Sequence, residues 1–102
     1  MSTPDASTDS FAADATFRRS SKASAATVDG LVVLLDVEAG NYHGLNAVGS
    51  HIWEFLAEPH SVEEIVADLP KHFDVGPDDA SQATQAFLAD LSERNLIERV
   101  SA

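Results

Sequence analysis

Four histidines, His43, His51, His60 and His72, are the side chains of this 102-residue chain best suited to chemistry. His51 and Glu54 stand at i and i+3 of one expected helix, so both can face a single ion. No third and fourth ligand follows at a recognisable spacing, and a closed metal site needs them. The histidines therefore read as structural or solvated. Serines are plentiful, but none sits in a Gly-x-Ser-x-Gly elbow or beside a plausible base. The acid pairs Glu63-Glu64 and Asp78-Asp79 open helices, where the helix dipole alone explains them. Asp90-Leu91-Ser92, the nearest approach to a carrier-protein serine, falls late in a helix rather than at its start. Cysteine is absent, which excludes thiolate chemistry and disulfides. The chain reads as a non-enzyme that calls for no metal and no cofactor.

Charge narrows the partners. The formal net charge is −11. In residues 1–22, Asp5, Asp9 and Asp14 balance Arg18, Arg19 and Lys22, so the whole excess lies in residues 23–102. A surface that acidic repels nucleic acid and anionic lipid, both of which are bound through Lys and Arg. The longest apolar run, Leu31 to Leu35, is too short to span a bilayer. No charged segment leads into an apolar one as in a secretory signal. The expectation is a cytoplasmic protein that binds neither nucleic acid nor membrane.

The elements that would position these residues follow from turns and periodicity. Residues 1–22 are mostly Ser, Thr, Ala and Asp, with Phe11 and Phe17 as the large apolar exceptions, and read as a disordered tail. Asp29-Gly30 is a hairpin turn between a strand at Ala25 to Val28 and one at Leu31 to Leu35. Gly40 turns the chain again into a third strand, Asn41 to Leu45, polar at alternate positions and an edge. Asn46 caps a helix carrying Val48, Ile52, Trp53, Phe55 and Leu56, with Trp53 in the core. Ser61 and Glu64 form a capping box for a second helix. Pro77, Asp78 and Asp79 open a third, running to about Arg94. Leu96 to Val100 is a short terminal wing. The expected fold is α+β and winged helix-turn-helix-like: a three-stranded antiparallel sheet, three helices and the wing, in a domain spanning 23–102.

On the third helix Thr84, Leu88 and Leu91 share one stripe. Ala83, Phe87, Asp90 and Arg94 form an adjoining one at i, i+4, i+7 and i+11. Small Ala83 beside large Phe87 leaves a notch bordered by a charged pair. From periodicity this stripe is equally well a core edge with an exposed i,i+4 ion pair.

The run Gly40-Asn41-Tyr42-His43-Gly44-Leu45-Asn46-Ala47-Val48-Gly49-Ser50-His51-Ile52-Trp53-Glu54-Phe55-Leu56 resembles the PqqD-like family of peptide chaperones, the recognition elements of RiPP (ribosomally synthesised, post-translationally modified peptide) pathways. It is most similar to the stand-alone leader-binding proteins of lasso-peptide biosynthesis. Ser61 to Val66, Phe73-Asp74-Val75, Phe87-Leu88-x-x-Leu91 and Leu96-Ile97 extend the likeness over about residues 24–100. The resemblance implies a domain that binds the leader of a precursor peptide as an added strand and leaves catalysis to a leader peptidase and an ATP-dependent cyclase, or to another modifying enzyme. It implies a site made of Asn41, Tyr42, His43, Gly44 and Leu45 on the edge strand and Ala83, Phe87, Asp90 and Arg94 on the helix. Relatives often carry an acid where Ala83 stands and an aliphatic residue where Thr84 stands. A winged-helix DNA-binding regulator fits the same elements, but the charge opposes it.

Overall fold

Two hairpin turns set the architecture. In the computed structural model, which describes residues 14–21, 23–36 and 39–100, Asp29 and Gly30 both take positive φ, 53° and 84°. Two consecutive left-handed residues make the tight turn that suits antiparallel strands. They join strands β2 (Ala23–Val28) and β3 (Leu31–Asp36), and Gly40, φ 73°, leads into β4 (Asn41–Gly44). β3 is central, in the order β2-β3-β4. One of its faces buries Val32 and Leu34, while Val33 and Leu35 on the other face are only half-buried.

Three helices follow among the described residues: α1 (Ala47–Phe55), α2 (Val62–Asp68) and α3 (Pro77–Glu93). Each begins as the sequence dictates. Asn46 accepts a hydrogen bond from the Gly49 amide at 2.8 Å. Ser61 and Glu64 close both halves of the capping box. Pro77 stands in the first turn of α3 with Asp78 and Asp79 beside it. The core joins Ile52, Trp53 and Leu56 of α1, Ile65 and Leu69 from α2 and its end, and Ala80, Leu88 and Leu91 of α3.

Two expectations are corrected here. The first concerns residues 1–22. Thr16–Arg19 form a strand, β1, with Phe17 only 3% exposed, so the folded part begins before residue 23. For residues 1–13 and 22 the expectation lies outside the described residues. β1 pairs on one side with β5 (His60–Ser61) and on the other with β6 (Ile97–Val100). Burying one phenylalanine stabilises by about 1.5–3 kcal/mol, enough to retain a short strand. Arg19 fastens it further: its Nε donates to the Trp53 carbonyl at 3.0 Å, and its guanidinium lies 5.0 Å from the Trp53 ring centre. These partners are remote in sequence, so no local pattern announces them.

The second correction concerns the sheet and its wing. The strands form two three-stranded sheets, β5-β1-β6 and β2-β3-β4, rather than one. The segment expected as a wing is β6, laid along β1 through four residue pairs from Thr16↔Val100 to Arg19↔Ile97.

Candidate functional site

The strand Asn41–Gly44 lies at one edge of its sheet, and its hydrogen-bond phase can be fixed. The Leu45 amide donates to the Val32 carbonyl at 2.9 Å, and the register pairs Leu34 with His43 and Asp36 with Asn41. Antiparallel pairs alternate between bonded and non-bonded. Asn41, His43 and Leu45 therefore turn their main chain toward β3, while Tyr42 and Gly44 turn theirs to the open side. Ser50 secures the end of this strand to α1: its Oγ accepts from Val32 N at 2.9 Å and donates to the Leu45 carbonyl at 3.4 Å. An edge held this firmly at one end presents Tyr42 and Gly44 in a fixed position.

The side chains alternate too. His43 points toward α3, where its Nε2 lies 3.3 Å from Asp90 Oδ2. Asp90 also accepts from Arg94 Nε at 3.2 Å. The expected charged pair of the second stripe is formed, and it reaches across to the strand. Phe87 is half-buried, and Ala83 and Arg94 are exposed. Thr84, Leu88 and Leu91 are buried beneath them. The Thr84 hydroxyl is fully buried and finds no hydrogen-bond partner, an unfavourable position that an aliphatic side chain would not have.

Sequence reasoning passed over Gly49. A Cβ there would meet Phe87 Cε1 at 3.0 Å. Glycine in α1 therefore lets the Phe87 ring sit against the helix. The available signal was a glycine inside a helical pattern, which costs stability and needs a packing reason.

The sheet's other face is apolar and open. Val28, Leu31 and Tyr42, at 55%, 42% and 76% exposure, are the exposed large hydrophobic residues among those described, and all three lie on this face by register. A hollow of about 170 Å³ lies there between Val33, Leu35, Tyr42 and the facing residues of β2. A larger cleft of about 390 Å³, between Val62, Val66 and Pro70 on one side and Pro77 and Ser81 on the other, contains none of the expected site residues.

The histidines are placed differently from the spacing argument. His51 does not share a site with Glu54, which instead lies 3.7 Å from Arg19. His51 Nε2 is 2.5 Å from Asp68 Oδ2, and His72 Nε2 is 3.4 Å from Asp68 Oδ1. Burial pushes the Asp68 carboxyl up, but the hydrogen bonds and charge of the two imidazoles outweigh this and hold it below its ordinary value. His60 stacks on Phe55 with ring centres 3.7 Å apart, and its Nδ1 is 3.2 Å from Glu64. The Ser61 amide, then His60, keep the Glu64 carboxyl below its ordinary range.

A small α+β domain with an open strand edge facing a helix wall has the form that accepts an extended chain by strand addition. Residues 32–97 match the family model of coenzyme PQQ synthesis protein D (PqqD), and the chain belongs to that family. Two solved structures are similar to it. One is TbiB1 in complex with the TbiA(beta) leader peptide, 34% identical, with a TM-score of 0.73 over 83% of this chain and 99% of that one. The other is a lasso peptide synthetase B1 complexed with the leader peptide, 29% identical, with a TM-score of 0.71 over 80% of this chain and 96% of that one. No curated protein is similar enough in sequence to match. Among the described residues no helix is long and apolar enough to cross a membrane.

Proposed function

We propose that this protein binds the leader region of a ribosomally made precursor peptide and presents it to modifying enzymes, without catalysing a step itself. The observation that carries the reading is the outward main chain of Tyr42 and Gly44, on a strand whose His43 reaches the Asp90 wall of α3. An added strand takes its main-chain hydrogen bonds from Tyr42 and Gly44. Alternate side chains of the leader enter the cleft over His43, Phe87, Ala83 and the Asp90–Arg94 pair. The intervening side chains lie on the same face as Tyr42, Leu35 and Val33. Asn41 and Leu45 hold the strand in place rather than meeting the peptide through their main chain.

Likeness to two leader-bound B1 proteins supports this assignment and favours lasso-peptide biosynthesis as the setting. The partners it calls for are a leader peptidase and an ATP-dependent cyclase, or another modifying enzyme, in the cytoplasm. The winged helix-turn-helix-like description of α1 to α3 belongs to the same reading. It does not extend to DNA, because a chain of net charge −11 repels the phosphate backbone.

Fluorescence anisotropy tests the reading. The probes are a labelled precursor leader peptide, such as the TbiA(beta) leader, and labelled duplex DNA, both at low salt where charge-driven binding is strongest. The leader should bind and the duplex should not. Asp90→Lys should weaken leader binding by about 1 kcal/mol or more. Tight duplex binding without leader binding would overturn the proposal.

A further inference from the structure

His51 comes from α1, while Asp68, the last residue of α2, and His72, just past the turn after it, come from a second stretch. Both imidazole Nε2 atoms are directed at one carboxylate, from opposite oxygens. Their ring centres are 4.4 Å apart. Each imidazole takes a different oxygen of the carboxylate, so two nitrogens and a carboxylate converge on one small volume. None of the three belongs to the peptide cleft, and strand addition does not use them.

We propose that His51, Asp68 and His72 form a binding site for one divalent transition-metal ion of zinc's class. One oxygen and two nitrogen ligands suit zinc, and three protein ligands with a fourth position left to water are a familiar zinc arrangement. The ligand atoms all lie within 4.8 Å of one another. A tetrahedral ion with bonds of about 2.0–2.1 Å holds its ligand atoms roughly 3.3 Å apart, so the 2.5 Å His51–Asp68 contact must open while the widest separation closes. The His72 side chain, half exposed, is free to make that movement, while His51 is the fixed member. The Phe73 ring meets His51 edge-on, with centres 5.5 Å apart, and the Phe55 ring lies nearly parallel to it at 6.4 Å. Asp68 and His72 stand at i and i+4, so the carboxylate and imidazole face the same way. The protein's negative charge raises the local cation concentration. Bound metal would tie α1 to the end of α2, a role separate from peptide binding.

The test uses the full chain, free of any purification tag and treated with chelator, titrated with zinc chloride near neutral pH by calorimetry. One equivalent should bind with micromolar or better affinity and raise the melting temperature. In imidazole NMR spectra His51 and His72 should shift, while His43 should not. His72→Ala, at an exposed position where folding is safe, and Asp68→Asn should each weaken binding about tenfold or more. His60→Ala should leave it unchanged. Absence of saturable one-to-one binding, or equal binding by His72→Ala, would overturn the site.

Discussion

The two sheets have three strands each and opposite character. In β5-β1-β6 the central strand is covered on both edges, and its partners lie far away in the chain: Arg18 meets Glu98, 80 residues on. In β2-β3-β4 every pairing is local. β2 is exposed along nearly its whole length, and β4 keeps an open side. The first sheet closes the molecule; the second offers it to others. An exposed edge invites unwanted pairing. Here it is short, and the chain's net charge of −11 discourages self-association. A sheet built from local hairpins can leave an edge unsatisfied because the other sheet, with the helices, supplies the stability.

Substitutions on either side test that division. The largest effect should come from Phe17→Ala in the closed sheet, about 3–5 kcal/mol lost in denaturant unfolding, as for other buried aromatics. A loss under about 1 kcal/mol would mean that β1 is an accessory. Next is Gly44→Pro in the open sheet. Its amide faces away from β3, and a Cβ there has no neighbour within 4 Å, so the fold should survive. Leader affinity should fall by about tenfold or more, roughly 1.4 kcal/mol, with Gly44→Ala near the parent. Equal loss in both variants would point to backbone freedom rather than to the missing amide. Proline at His43 is a poorer probe, because that amide belongs to the β3 ladder.

Two smaller effects refine the comparison. Thr84→Val removes the buried hydroxyl without a partner and should stabilise by about 1 kcal/mol, read from thermal melts. Unchanged or reduced stability would show that the hydroxyl is satisfied in solution. The smallest effect is in acid. Glu64, bonded to Ser61 of β5 and to His60, has a folded pKa below its ordinary 4.5. A depressed carboxyl contributes stability that is whole above that value and is lost as pH falls through the folded pKa. The melting temperature should drop below pH 4.5 with a slope that Glu64→Gln reduces. An unaltered slope would place the acid sensitivity elsewhere.

Most of the open sheet and all three helices were legible in the sequence because their signals are local. Asp29-Gly30 fixes a turn, Asn46 and Ser61 fix caps, and Pro77 opens α3, each through its nearest neighbours. The stripe of Ala83, Phe87, Asp90 and Arg94 was legible as a face, since helical periodicity orders it. Its tie to His43 was not, because that depends on where α3 crosses the sheet. β1 was missed for the same reason: Thr-Phe-Arg-Arg has one large apolar residue, and its burial comes from β5, β6 and Trp53. The His51–Asp68–His72 group joins two helices at an angle that no spacing encodes. His51 and Glu54 looked paired only because i and i+3 share a face.

The pairing of β1 with β6 also orders events in time. During synthesis Phe17 leaves the ribosome 80 residues ahead of the strand it needs, a delay of several seconds at about 5–20 residues per second. The β2-β3-β4 meander and α1 can organise in that interval, since their contacts are close in sequence. The closure of the β5-β1-β6 sheet therefore waits for β6 to be made, and it is long-range capture rather than local growth.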